Sequence, residues 1–393
     1  MARILVSLVG DQPSPTLILA KYLGNEIDRI VLMSGIRMVE KKVIQHVTEA
    51  LKTLGVPEVT FVKVEPFSLD SCQGDLETAL GREADQPGRF VVDVTGGTKI
   101  MSIGLFIAAT RLGLPVVYVD TTTRVIRELG PIPSGIDHER GFPPLPIRTI
   151  MTAYGHPVVR ASDWVAPNRE DLAKLFVREP SLWKAWHECA GALQEGDDII
   201  RINNLPKSSP VHTLLPKLVE LRFVEDLKRR YDNGYSFRVP DKATRQYLAS
   251  GTWLEDYIFL EAKKCGFDEV LARVGVGNIS EVSGNWGNEV DVIISHRSTL
   301  SLVSCKAGRV RNIEKEHLAE TFTLAQLAGG VFSRRIIVTD ESVSRSLRER
   351  ARAFKIDLIE ESQLPSVADH LRELIDPDEA KTDEGGKAVN AGG

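Results

Sequence analysis

The chain has 393 residues, 42% of them hydrophobic and 26% charged, with a formal net charge of −5. That length suggests two or three domains of ordinary globular composition. The charge excludes a molecule coated in positive charge but leaves room for a local basic groove. The four cysteines, Cys72, Cys189, Cys265 and Cys305, lie far apart and form no CxxC pair. This argues against a zinc site or a disulfide framework and for reduced thiols in a cytoplasmic protein. No run of about 18 apolar residues occurs, so no membrane span is expected. The short apolar start reads as a first strand rather than a signal peptide.

Over the first 130 residues, short apolar runs alternate with helical patterns. Strands are predicted at 3–9, 29–34, 58–64, 90–94, 115–120 and 124–129, with helices such as 38–54 and 99–112 between them. Phe90-Val91-Val92-Asp93-Val94 is almost continuously apolar, as a parallel strand covered on both faces should be. The alternation predicts a doubly wound α/β sheet. Residues 131–160 are rich in Pro and Gly and mark a boundary. Residues 170–240 read as mostly helical. They end in an amphipathic helix at 214–224 and a hairpin at 231–239 around Asn233-Gly234. A helix followed by a small hairpin is winged-helix-like, and serves equally well as a structural connector or as a nucleic-acid contact. A third unit, again α/β, follows. It has a helix at 253–264, strands at 269–275, 288–295, 299–305 and 335–339, and a helix at 314–328. The tail from Asp376 carries five acids and two lysines with Gly and Ala and reads as disordered. The expected division is 1–135, 136–245, 246–375 and a tail at 376–393.

Two loops fall where open α/β sheets bind ligands, at the carboxyl ends of strands. The first strand runs into Ser7-Leu8-Val9-Gly10-Asp11-Gln12-Pro13-Ser14-Pro15-Thr16. The fourth ends in Asp93-Val94-Thr95-Gly96-Gly97-Thr98-Lys99, where a helix begins. Paired glycines let the backbone approach a ligand, and free N–H groups at a helix start attract phosphate. Neither GxxxxGK[ST] nor GxGxxG is present, which disfavours a P-loop and a nicotinamide enzyme. Taken alone, the segment is as well read as a Gly-rich turn with a capping threonine. Together the two loops resemble the CARF domain, the CRISPR-associated Rossmann-like sensor of cyclic oligoadenylates, over about residues 1–130. The resemblance implies a homodimer with one cyclic oligonucleotide across the two-fold axis. It also implies a ligand pocket drawn from Ser7, Asp11, Gln12, Thr16, Ser34, Thr95, Gly96, Gly97, Thr98 and Lys99.

Near the other end, Asn288-Glu289-Val290-Asp291-Val292-Ile293-Ile294 puts Glu289 and Asp291 on one face of a strand. The next strand ends in Ser304-Cys305-Lys306. An acid at the end of one strand beside a lysine on the next resembles the PD-(D/E)xK nucleases. The resemblance implies that Asp291 holds Mg²⁺ or Mn²⁺ with a second carboxylate and the Cys305 backbone carbonyl, while Lys306 orients the attacking water. Ser304 departs from the pattern, since it supplies only a neutral hydroxyl where a carboxylate is usual. Glu255, on the preceding helix, or Glu289 is the expected substitute; otherwise the domain is an inactive nuclease fold. Arg309, Arg311 and Lys315 read either as a track for a phosphate backbone or as a solvated helix start. The order of the parts resembles the single-CARF, dimeric nucleases of type III CRISPR defence activated by cyclic tetra-adenylate, which implies cleavage of DNA, RNA or both. The runner-up is a ligand-gated transcriptional regulator with a DNA-binding winged helix and a degenerate nuclease domain. A third reading has the sensor degrade its own ligand, with Lys99 near the phosphates.

Overall fold

The computed structural model describes residues 3–81, 86–137, 141–193, 198–277, 288–308 and 333–376. The predicted helix at 314–328, the basic residues Arg309, Arg311 and Lys315, and the tail after Asp376 lie outside the described residues.

The first unit is a six-stranded sheet in the order β3-β2-β1-β4-β5-β6. Its strands are β1 (Arg3–Leu8), β2 (Ile27–Ser34), β3 (Glu58–Lys63), β4 (Phe90–Asp93), β5 (Val116–Asp120) and β6 (Val125–Glu128). All neighbours run parallel except β6, which turns back antiparallel on β5. Leu5 and Val91 enter one core while Ile4, Val6 and Val92 enter another. Both faces of β1 and β4 are therefore covered, which is why they read without alternation. The helices are α1 (Ser14–Leu23), α2 (Ile36–Glu40), α3 (Val43–Thr53), α4 (Leu69–Leu80) and α5 (Lys99–Arg111). The single helix expected at 38–54 is two, broken where Lys42 takes a left-handed φ of 60°. The turn presents Lys41 to Asp11 at 2.5 Å and rotates His46, Val47, Ala50 and Leu51 of α3 inward.

A second sheet has the order β15-β14-β13-β12-β11-β7. It comprises β7 (Val158–Ser162), β11 (Glu269–Val276), β12 (Asn288–His296), β13 (Thr299–Lys306), β14 (Ser333–Thr339) and β15 (Asp357–Ile359). The strand β7 was not predicted. It comes from the Pro- and Gly-rich stretch and pairs antiparallel with β11, so that stretch supplies an edge of the second sheet as well as a connection. Between them, α7 (Pro167–Arg178), α8 (Pro180–Cys189), α9 (Val211–Glu220) and α10 (Lys242–Ala249) pack with a three-stranded antiparallel sheet of β8 (Ile200–Ile202), β10 (Tyr235–Arg238) and β9 (Glu225–Arg229). The expected hairpin is present, with Asn233 at φ 57° in its turn. The helix α11 (Thr252–Lys264) lies on the second sheet and buries Trp253, Leu254, Ile258 and Phe259.

The two sheets are not independent. The helix α6 (Ile147–Ala153) places Ile147, Ile150 and Met151 in one core with Val47 and Leu51 of α3 and with Val274, Ile293 and Leu302 of the second sheet. At this seam a Cβ on Gly155 (φ +82°) would come 2.7 Å from the His46 ring. Burial lowers the pKa of His46 and also of nearby His156. A histidine held below its ordinary value takes up a proton more readily in the unfolded chain. Its contribution to stability is complete above about pH 6.5 and is lost as the pH falls below that. Calorimetry from pH 7.5 to 5.5 should therefore show a falling Tm, and a His46→Gln, His156→Gln double variant should lose at least half of that slope. An unchanged slope would place the acid sensitivity elsewhere.

Candidate ligand pocket and nuclease site

The first sheet's loops are organised by one carboxylate. Asp93 is fully buried. It accepts from Ser7 Oγ at 2.6 Å, Thr95 N at 2.9 Å and Thr95 Oγ1 at 2.5 Å. Burial raises its pKa, and the Ser7 and Thr95 hydrogen bonds oppose that shift. Thr95 Oγ1 also accepts from Val119 N at 2.8 Å, tying the loop to β5. Gly96 sits so close to β1 that a Cβ there would lie 2.0 Å from the Leu8 carbonyl oxygen. Gly97, at φ +74°, makes the next turn. Thr98 caps α5, accepting from Met101 N at 3.2 Å and donating to Pro66 O at 2.8 Å.

Of the ten residues predicted to touch ligand, three border one cleft. Thr95, Gly97 and Lys99 border a cleft of about 530 Å³, together with Ser102, Ile103, Phe106, Tyr118 and Leu129. The ammonium of Lys99 is exposed and has no hydrogen-bond or ion-pair partner among the described residues. Ser7, Thr16 and Ser34 do not border it. They are buried, with Ser7 Oγ 2.8 Å from Thr16 Oγ1 and Ser34 Oγ donating to Val9 O at 2.6 Å. Their hydroxyls are bonded inside the fold, where they hold the two loops in place. Asp11 faces Lys41. Gln12 Oε1 accepts from the Tyr154 hydroxyl at 3.0 Å, and Tyr154 is also 3.0 Å from Ser14 Oγ.

In the second sheet, β12 and β13 are in register as far as Val292 and Val303 and then part. The Asp291 carboxylate fills the gap. Its Oδ2 accepts from Cys305 N at 2.6 Å and from Ser304 Oγ at 3.3 Å. Burial raises the pKa of Asp291, while the positive charge of Lys306 and the Cys305 hydrogen bond pull it down. Glu255, in the first turn of α11, is pushed up to about 8, chiefly by burial and then by the negative charges of Asp291 and Asp256. The helix start lies against the end of β13, for a Cβ on Gly251 would meet Ala307 Cβ at 2.6 Å. Glu255 thus lies within the electrostatic reach of Asp291, and Asp291 within that of Lys306. Glu289 stands further out, half-exposed and ion-paired to Arg160.

Two half-buried carboxylates repelling each other beside one lysine form a place that a divalent cation would neutralise. Asp291, Glu255 and the Cys305 carbonyl supply only oxygen, the donor set that hard cations take. Among the described residues no group of three or more His, Cys, Asp or Glu side chains converges on a metal position. A cation held by Asp291 and Glu255 would therefore need the carbonyl and water as further ligands.

Several residues here were not anticipated. Asp256, next to Glu255, is fully buried and neutralised by Arg169 Nε at 2.7 Å and Arg273 Nη1 at 2.5 Å. It anchors α11 so that Glu255 faces Asp291. An acid inside the apolar run Trp253–Phe259 was the available signal. Arg160 on β7 reaches Glu289 on β12 across Gly275 of β11, where a Cβ would lie 2.7 Å from Arg160 Cγ. Asp340, raised to about 6 by burial, accepts from Gly308 N at 3.0 Å and fixes the turn after Lys306. Nothing local in the sequence marks Arg160 or Asp340.

Residues 4–138 match the family description Card1 CARF domain, and residues 241–376 match Card1-like endonuclease domain. The chain belongs to the Card1-like CARF endonucleases. No curated protein matches this CARF endonuclease. Among solved structures it is similar to the protein VC1899 from Vibrio cholerae, at 16% identity and TM-score 0.77, over 95% of this chain and 97% of that one. It is also similar to Can2 from Sulfobacillus thermosulfidooxidans in complex with cyclic tetra-adenylate, at 18% identity and TM-score 0.71, over 92% and 94%. A type III CRISPR defence DNA nuclease activated by cyclic oligoadenylate shares 16% identity and TM-score 0.54, over 88% of this chain and 46% of that one. At such identities the likeness is one of fold. Among the described residues no helix is long and apolar enough to cross a membrane.

The position of Gly96 gives a direct test of the sensor loop. Gly96→Ala forces β1 away from the loop, at roughly 1–3 kcal/mol for an overpacked site. It should lower Tm by several degrees and abolish ligand binding. A variant with wild-type Tm and calorimetric affinity for cyclic tetra-adenylate would rule out this packing.

Proposed function

We propose that this CARF endonuclease is a metal-dependent nuclease of type III CRISPR defence, switched on when cyclic tetra-adenylate binds the cleft beside Lys99. The observation that carries the reading is the Asp291 carboxylate, held between parted strands by Cys305 N–H with Lys306 next to it and Glu255 opposite. Asp291, Glu255 and the Cys305 carbonyl would hold Mg²⁺ or Mn²⁺. A cation there would polarise the phosphodiester and make a bound water acidic enough to attack. Lys306 orients that water and neutralises charge developing on the phosphate. Asp256, Arg169 and Arg273 keep Glu255 in position.

For the sensor, the N–H groups of the Gly96-Gly97 turn, which have no hydrogen-bond partner among the described residues, and the ammonium of Lys99 suit a phosphate. The cleft continues into the exposed apolar side chains Ile103, Ile107, Tyr118 and Leu129. These would be covered in a homodimer whose two clefts face one cyclic ligand. Coupling to the nuclease is supported by a continuous path. Gln12 accepts from Tyr154, Tyr154 follows α6 and leads into β7, and Arg160 of β7 pairs with Glu289. Glu289 is on the same face of β12 as Asp291. A ligand that binds one position of the Gln12 loop more tightly shifts the population of the nuclease site with it.

Ser304 in place of a carboxylate favours a second reading, a ligand-gated DNA-binding regulator with a degenerate nuclease domain. Cleavage of labelled DNA and RNA with Mg²⁺ or Mn²⁺, with and without cyclic tetra-adenylate, separates the two. The nuclease reading expects ligand-dependent cleavage that Asp291→Asn abolishes and that Lys306→Ala slows by about 10²–10³. Binding without cleavage by the wild-type chain would favour the regulator. Cleavage undiminished in an Asp291→Asn, Lys306→Ala double variant would move the chemistry elsewhere. For the coupling path, Tyr154→Phe removes the hydrogen bonds to Gln12 and Ser14. It should reduce the stimulation by ligand about two- to tenfold with unliganded cleavage retained. Full stimulation in that variant would eliminate Tyr154 from the path.

A further inference from the structure

The three-stranded sheet between the two units has one buried and one open face. Ile200, Ile202, Tyr235 and Phe237 point inward, and Phe237 meets Trp186 of α8 with ring centroids 6.3 Å apart. The next residue of α8, His187, abuts the end of the nuclease strand β13, since a Cβ on Gly308 would lie 2.9 Å from His187 Nε2. One layer of helix therefore separates this sheet from Lys306.

The open face is basic. Arg201 and Lys228 are both register partners of Ser236, so the three form a row across β8, β10 and β9. Strand spacing puts Arg201 and Lys228 about 10 Å apart, close to the rise of three nucleotides at 3.4 Å each. Arg238 lies two residues beyond Ser236 on the same face, with Asp226 4.0 Å away. Lys228 has no ion-pair partner among the described residues. At the hairpin tip, Tyr231 is 97% exposed and the Arg230 guanidinium stands 5.9 Å from its ring centre. Residues 198–249 hold ten Lys or Arg against six Asp or Glu, in a chain whose net charge is −5. An exposed ring at the tip of a basic hairpin is poorly explained by stability and well suited to stacking on a base.

We propose that this face binds the nucleic-acid substrate to one side of the cleavage centre, with Arg201, Ser236 and Lys228 against phosphates and Tyr231 against a base. The inference rests on the nuclease reading for the identity of the strand, but its binding test does not require cleavage. The full-length protein with cyclic tetra-adenylate is titrated into a fluorescent 30-nucleotide single strand in EDTA, and anisotropy is followed from 50 to 200 mM salt. Arg201→Ala, Lys228→Ala should weaken binding about tenfold at 100 mM salt and reduce the slope of log K against log salt by about 1.4, two contacts at about 0.7 each for a single strand. Tyr231→Ala should weaken binding about tenfold with little change of slope. The Arg201→Lys, Lys228→Arg pair should restore affinity and slope. In cleavage assays with divalent cation, the alanine variants should raise KM for the 30-mer while leaving kcat, and turnover of a tetranucleotide, near wild type.

Unchanged affinity and slope in the alanine variants, with wild-type cleavage intact, would overturn this proposal and leave the nuclease reading standing. Altered anisotropy without any wild-type cleavage would keep the binding face and overturn the nuclease. Loss that the Lys/Arg exchange does not restore would show damage to the sheet and reject the phosphate contacts.

Discussion

The structure depends on a shared hydrophobic core. Helix α6 lies with α3 of the first unit on one side and the second sheet on the other, so Leu51, Met151 and Ile293 belong to one cluster. Close-packed interiors do not deform continuously, and a shift on one side of such a seam must be accommodated on the other. This sets the protein apart from a chain of beads in which a sensor and an effector are joined by a flexible linker. The polar links that cross or border the seam, Tyr154 to Gln12 and Arg160 to Glu289, gain their meaning from this packing.

Both functional ends use a carboxylate, buried at Asp93 and half-buried at Asp291, to shape backbone. Asp93 gathers three donors and fixes where the Thr95-Gly96-Gly97 turn leaves β4. Asp291 takes the Cys305 N–H that would otherwise continue the β12–β13 ladder, and so opens the sheet at the point where Lys306 emerges. Burial disfavours the charge in each case, and the donors around it offset that cost. Glu255 has less compensation and is raised to about 8. In the nuclease domain a carboxyl thus keeps its proton to higher pH than usual, and a bound cation would displace it, whereas around Asp93 the Ser7 and Thr95 donors oppose the same effect of burial.

Much of the fold was legible before any coordinates. Continuously apolar strands alternating with helices specified the doubly wound first sheet. The resemblance to PD-(D/E)xK nucleases pointed to Glu255, Asp291 and Lys306, whose charges act on one another in the fold. Strand alternation also put Glu289 on the Asp291 face, although its partner Arg160 was invisible because it lies about 130 residues away on a strand that does not look like one. That Ser7, Thr16 and Ser34 are buried, with their hydroxyls bonded inside the fold, was hidden for a related reason. A polar residue at a strand end reads the same whether its hydroxyl faces solvent or a buried carboxylate.

What the sequence determined by itself was local: element types, the turn chemistry of Thr95-Gly96-Gly97-Thr98, and the residue types available to each site. Periodicity and backbone preference act over a few residues, so a chain records them directly. Only the tertiary structure decided that β7 edges the second sheet, that α6 merges two cores, that Asp256 is neutralised by Arg169 and Arg273, and that Gly275 leaves the space Arg160 needs to cross a strand. Each of these depends on which distant surfaces meet. That is settled by burying apolar area and satisfying buried charge over the whole molecule, a condition that no short window of sequence contains.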